Sequence, residues 1–150
     1  MKNILVPLDF SPVSRAVLRE ARALARETGG RLVLLHVIRS PVYPDYPGML
    51  ADVAALDDYA LKVSRAHLGR LERTLRADRI PVAQRIFFGP AAPRIVDEAR
   101  RIKARYIVIG TRGHNALHDF VLGSTTSVVL RRSRCPVLVV PVHPRPRQRA

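Results

Sequence analysis

The sequence predicts an α/β fold: an open parallel sheet of five strands with helices on both faces. Three observations carry that expectation. Short apolar runs of strand length recur at residues 3–8, 31–38, 82–88, 106–109 and 137–142. Between them lie longer segments whose apolar residues return at helical spacing. The second run, RLVLLHVI, is nearly all apolar, as a strand covered on both faces should be. Strands alternating with helices imply parallel pairing through right-handed crossovers. Ligands of such sheets bind beyond the strand C-termini, where the strand order reverses.

The first strand, residues 3–8 (NILVPL), is followed by Asp9-Phe10-Ser11-Pro12. Ser11 suits a helix N-cap and Pro12 the first helical position. The helix runs to about Thr28, with Val17, Ala21 and Leu24 on one face and Arg15, Arg19, Arg22 and Arg26 on the other, and Gly29-Gly30 ends it. After the second strand, residues 39–52 hold three prolines and Gly48, which predicts a long loop, a candidate flap, without a regular element. A helix from about Val53 to Ala77 places Leu61, Leu68, Leu71 and Leu75 on one face. The third strand, 82–88, turns at Gly89-Pro90 into a helix over about 91–103, with Ile95, Ala99 and Ile102 inward. The fourth strand stops at Gly110, and a short helix over 127–132 precedes the last strand. Residues 1–142 are expected to form one domain, and the basic, proline-rich 143–150 a disordered tail.

With 150 residues the chain can bury roughly 68–70% of its unfolded surface, enough for an ordinary core. No apolar run approaches the ~20 residues of a membrane helix, and the N-terminus lacks a signal-peptide pattern, so a cytoplasmic location is expected. The lone Cys135 excludes an internal disulfide and reads as a packed thiol. A net charge of +14 invites a nucleic-acid reading. The arginines at helical spacing read first as a solvated face, and few aromatics interleave with them for base stacking. Specific nucleic-acid binding is therefore not expected, whereas weak nonspecific adhesion at low salt is. Arg131, Arg132 and Arg134 read as favourable charge at a helix C-terminus.

The chemistry concentrates after the fourth strand, where Gly110, Gly113 and Gly123 lead directly into Ser124, Thr125 and Thr126. Glycines admit a bulky anion to backbone N–H groups, and a helix start adds unpaired donors and the positive end of its dipole. Such a junction suits phosphate. If the first and fourth strands are neighbours at the reversal, the Asp9 loop faces it across one crevice. With Ser11 and Pro12 at the cap, Asp9 is expected to accept hydrogen bonds from a ligand. His114 and His118, with Asp119 beside them, have a spacing that can hold metal on a helix, but they sit in a loop and no metal site is expected. His114 can instead approach a terminal phosphate.

On these residues the chain resembles the universal stress protein family, in its ATP-binding branch. The branch's pattern G-x2-G-x9-G-S/T is matched by Gly110, Gly113, Gly123 and Ser124, and the likeness extends to ILVPLDFSPVS, LVLLHVI, Gly89-Pro90 and CPVLVVP. The resemblance implies a sheet of order 3-2-1-4-5 (adenine-nucleotide alpha hydrolase-like), commonly dimeric, with ATP over strands one and four. It implies Asp9 against the adenosine portion with Pro7 and Ser11 beside it, and the backbone near Val37 at the adenine edge. Gly110 would lie near the ribose, with Gly113, Gly123, Ser124 and Thr125 on the phosphates and Arg112 and His114 adjoining. Mg²⁺ would arrive coordinated by the nucleotide and water. In the implied order the strand from Val137 to Val142 is an edge, which self-pairing in a homodimer would cover. Arg105 departs from the acidic residue that many relatives carry before the fourth strand.

The Walker signature and G-x-G-x-x-G are absent, which disfavours a P-loop NTPase and a dinucleotide dehydrogenase. The first loop lacks a flavodoxin's phosphate glycines, and the third strand lacks a receiver's aspartate. An adenylyl-transferring or hydrolytic enzyme on a related fold remains the alternative, although its His-x-Gly-His and Ser-Gly-Gly-x-Asp-Ser signatures do not occur. A nonspecific nucleic-acid binder is a further one. Without paired carboxylates, an activated nucleophile or a lysine in the crevice, the expectation is a nucleotide-dependent regulatory protein in stress response, with at most slow ATP hydrolysis.

Overall fold

Alternate side chains of the central strands feed two separate cores. In a computed structural model that describes residues 1–39, 50–111 and 122–141 (the side chains of 50–52 apart), Ile4, Val6 and Leu8 enter one core and Leu5 the other. Leu32 and Leu34 likewise oppose Val33 and Leu35, and Val108 opposes Ile107 and Ile109. A strand buried on both faces is all apolar and still has a period of two.

The elements are β1 (Asn3–Pro7), α1 (Val13–Thr28), β2 (Arg31–Ile38), α2 (Leu50–Ala77), β3 (Val82–Phe88), α3 (Ala91–Arg101), β4 (Tyr106–Gly110), α4 (Ser124–Arg132) and β5 (Val137–Val140). The sheet is parallel throughout, in the order β3-β2-β1-β4-β5. The strand order reverses between β1 and β4. Helices α1 and α2 cover one face through Val17, Ala21, Ala25, Leu68 and Leu75. The other is covered by α3 and α4 through Ile95, Val96, Ala99 and Val129.

Three helices end in the same way, and only one uses the glycine that a sequence pattern looks for. Gly29 (φ 62°), Arg79 (φ 59°) and Lys103 (φ 50°) adopt the left-handed conformation just past the ends of α1, α2 and α3. In each case the next amide reaches back five residues: Gly30 N–H to Ala25, Ile80 N–H to Leu75 and Ala104 N–H to Ala99, at 2.8–3.0 Å. This satisfies carbonyls that the helix end would leave orphaned. Lys103 therefore lies outside α3 rather than in its last turn.

Other boundaries also differ from expectation. The expected loop over 39–52 ends early, because α2 begins at Leu50, just past the last breaker, Gly48. Helix α4 begins at Ser124 rather than 127, since hydroxyl residues that are weak in helix interiors are well placed in a first turn. The expected Ser11 cap is not made: Pro12 holds the N-cap position of α1 with no side-chain cap bond. The expected end of the last strand at Val142 and the tail 143–150 lie outside the described residues.

Glu98 carries no signal in the sequence pattern, yet it is 2% exposed. Both of its oxygens accept from Arg101 at 2.6 Å, and Arg85 of β3 lies 3.3 Å away. A carboxylate without water keeps its charge only when so partnered. The pairing ties α3 to the edge strand β3.

Because Leu5 is fully buried in the smaller core, Leu5→Ala should destabilise the chain by roughly 2–5 kcal/mol. Urea unfolding would measure this, with a lower midpoint and an unchanged slope.

Candidate functional site

The ends of β1 and β4 stand side by side at the reversal, and each continues into a helix start. After β1, Leu8 N–H donates to Leu35 C=O at 2.8 Å, holding the loop against β2. Asp9 Oδ1 then accepts from Ser11 N–H at 2.9 Å and Ser14 Oγ at 3.3 Å. Asp9 thus does the local turn-closing work expected of Ser11. Its carboxylate is still on the surface of the loop, within reach of a ligand. Ser11 is 3% exposed, and its Oγ meets no hydrogen-bond partner. A buried hydroxyl left without a partner costs about 1–3 kcal/mol.

Between them Phe10 has φ 59°, a conformation that bulky residues rarely adopt. Its ring lies 4.4 Å from that of His36 on β2 and meets His67 of α2 edge-on at 4.7 Å. His36 donates from Nδ1 to Leu8 C=O at 2.7 Å, which fixes that tautomer. Burial holds its pKa below the usual 6.5, and His67 pushes the same way; the Leu8 carbonyl and Asp9 oppose them.

On the other wall, Thr111 N–H donates to Val140 C=O at 3.0 Å and Gly123 N–H to Thr111 C=O at 2.7 Å. Thr126 Oγ1 donates to Gly110 C=O at 2.7 Å and pins the first turn of α4 to the end of β4. Among the described residues no side chain caps α4. Its first-turn amides, those of Ser124, Thr125 and Thr126, have no acceptor within the helix. Gly123 has φ −60°, so the backbone does not demand glycine there. What glycine provides is the absence of a Cβ beside the amides.

One cleft of ≈ 980 Å³ joins these walls. It is lined by Pro7, Asp9, Ser11, Val37, Gly110, Gly123, Ser124 and Thr125, which the sequence analysis named as candidates. Arg112, Gly113 and His114 lie outside the described residues, as do His118 and Asp119. Sequence reasoning missed His36 and the third wall, made by Tyr59, Val63 and Ser64 of α2. Its 28 residues span about 42 Å, against about 26 Å for the eight-residue β2, so α2 overhangs the sheet. No periodic signal marked that wall: Tyr59 and Val63 fall on the side of α2 away from Leu61, Leu68, Leu71 and Leu75, and both are exposed.

Chemically, the cleft offers backbone N–H donors and hydroxyls on one side, a carboxylate on the other, and apolar walls at Val37, Ile95 and Ile109. That set fits a ligand with a phosphate, neighbouring hydroxyls and a flat apolar part. Among the described residues no group of three or more His, Cys, Asp or Glu could hold a metal ion, and no helix is long and apolar enough to cross a membrane.

His36 sets a pH dependence of known sign. With its pKa lowered in the folded chain, the unfolded chain binds the proton more readily, so stability is complete above about pH 6.5 and is lost as pH falls below it. The thermal midpoint should drop between about pH 7.5 and about pH 5.5, and His36→Asn should flatten that drop. Equal drops in both proteins would count against His36 as the source.

The universal stress protein family matches residues 1–141. The universal stress protein YxiE of Bacillus subtilis is 32% identical over 144 residues, covering 92% of this chain and 97% of that protein. Among solved structures, the universal stress protein UspA from Lactobacillus plantarum superposes with a TM-score of 0.84 at 27% identity, covering 93% of this chain and 97% of that one. A universal stress protein in complex with cAMP has a TM-score of 0.69 at 26% identity, covering 95% and 97%. With a match that spans nearly its whole length and the same sheet order, the chain belongs to the universal stress protein family.

Proposed function

We propose that this protein binds an adenine nucleotide, ATP foremost, in the cleft between the Asp9 loop and the start of α4, and acts as a nucleotide-dependent regulatory module. The observation that carries the proposal is the uncapped N-terminus of α4, with Gly123, Ser124 and Thr125, facing the Asp9 loop across one cleft. The likeness to a stress protein bound to cAMP supports an adenine ligand.

In this reading the α4 amides and the Ser124 and Thr125 hydroxyls hold phosphate, joined by Gly113, Arg112 and His114. Asp9 and Ser11 take ribose or adenine polar groups, with Pro7 and Gly110 beside them, and Val37 presents its backbone to the adenine edge. Mg²⁺ enters on the phosphates and water. These residues bind and orient, and among the described ones none is placed as nucleophile or paired acid and base, which supports at most slow hydrolysis. Ligation stabilises the folded cleft by mass action and shifts the surface that a partner meets.

The test is calorimetric titration with ATP, preceded by mass spectrometry of any nucleotide that co-purifies. Gly123→Val keeps an accessible backbone conformation and sets a branched side chain beside the amides, so it should fold normally and bind ATP at least about tenfold more weakly, roughly 1.4 kcal/mol. Equal affinity in both proteins would sink the assignment of the phosphate site.

The edge strand β5 exposes its unpaired ladder side and Leu138, 41% accessible, so we further propose a homodimer in which β5 pairs with its copy. Sedimentation at micromolar concentration should show a dimer, and Leu138→Lys should shift it toward monomer. A wild-type chain that sediments only as monomer contradicts this.

A further inference from the structure

The end of the sheet opposite the cleft gathers cations that the fold does not neutralise. Helices α3 and α4 pack against each other and finish together there. The end of α3 and its connection to β4 supply Arg100, Arg101, Lys103 and Arg105; α4 and its connection to β5 supply Arg131, Arg132 and Arg134. All seven are exposed. The two connections are neighbours, since Ile107 pairs with Val137 and its N–H donates to Pro136 C=O at 3.0 Å. Arg100, Lys103 and Arg134 line one depression of ≈ 240 Å³ with Ser133 and Cys135.

Charge pairing differs between the two faces of the sheet. On the α1–α2 face, Arg22 and Arg26 meet Asp78, Arg19 meets Glu20, and Arg76 meets Glu72. At the α3–α4 end, among the described residues, only Arg101 has a carboxylate, Glu98. Beyond Glu98 the described residues contain no Asp or Glu at all. The dipole account, cations complementing helix ends, is too small: each helix end presents roughly half an elementary negative charge, and two of them cannot balance the six cations that remain once Arg101 is paired. Lys103 even occupies a left-handed position where glycine would be less strained.

We propose that this basic end, through Arg100, Lys103, Arg105, Arg131, Arg132 and Arg134, docks the phosphodiester backbone of nucleic acid without reading its bases. Arginine predominates, and its planar fork matches phosphate oxygens two at a time. The aromatic ring at this end, Tyr106, lies 5.6 Å beneath the Arg105 guanidinium, so no ring is presented for base stacking. A membrane-surface site would add aromatic anchors beside the cations, and the chain has no Trp. The patch lies across the sheet from the cleft, so occupation of one does not obstruct the other, and the inference stands independently of nucleotide binding.

The experiment is fluorescence anisotropy of short labelled DNA duplexes of two unrelated sequences, titrated with the full chain between about 50 and about 200 mM NaCl. Equal affinity for both sequences is expected, with a log–log salt slope of about −3 to −5, the signature of several phosphate contacts. The Arg100→Ala/Lys103→Ala/Arg134→Ala variant should bind at least about tenfold more weakly at low salt, with a slope shallower by about 2 to 3. Should it fail to fold, Arg131→Ala/Arg132→Ala on the surface of α4 takes its place with a slope change of about 2. Arg65→Ala/Arg73→Ala, on α2, should leave binding within about twofold. Absence of duplex binding at low salt, an equal loss in the α2 variant, or binding to phosphatidylserine vesicles but not to DNA would each overturn the proposal.

Discussion

The pairing of β1 with β4 is the constraint on which the rest of this molecule depends. It places Ile4 opposite Tyr106 and Leu5 opposite Ile107, and it reverses the strand order at the centre of the sheet. Because the crossovers leave on opposite faces from that point, the two following loops are not covered by a helix and a cleft must open between them. The same pairing buries Leu5 and Ile107 fully, so the cleft floor belongs to the best-packed part of the chain.

On that floor the first loop is costly to make. Phe10 sits in a left-handed conformation and Ser11 buries an unsatisfied hydroxyl, each of which works against folding. The offsetting interactions are specific: Asp9 closes the turn, Leu8 bonds to β2, and the Phe10 ring packs between His36 and His67. This loop is therefore coupled to α2 through an aromatic contact between Phe10 and two histidine rings. A change at the cleft mouth has a direct route to the overhanging helix.

The electrostatics of the molecule also run along the strand direction. Helix starts, with their partial positive charge and open amides, face the cleft. Helix ends face the other way, and there side-chain cations exceed what the dipoles can balance. The two ends of one sheet thus attract negative groups for different physical reasons, one through oriented backbone and the other through guanidinium charge.

The sequence by itself determined the element types, both parallel-sheet cores and the glycine-to-helix junction, because apolar periodicity and breaker residues are local signals. Strand β2 and the start of α3 were legible to the residue. Helix ends at Arg79 and Lys103 were not, since the left-handed residue there is not glycine and only the backbone reveals it. Eight of the eleven candidate site residues line one cleft, Arg112, Gly113 and His114 falling outside the described residues, yet what they are next to was not written in their spacing. Tertiary structure alone decided that Asp9 rather than Ser11 closes the turn, that Tyr59 and Ser64 form a wall, that Glu98 is buried, and that arginines thirty residues apart share one surface. The reason is physical: periodicity reports which face of an element is buried, whereas proximity between elements follows from strand order and helix length, which no single segment encodes.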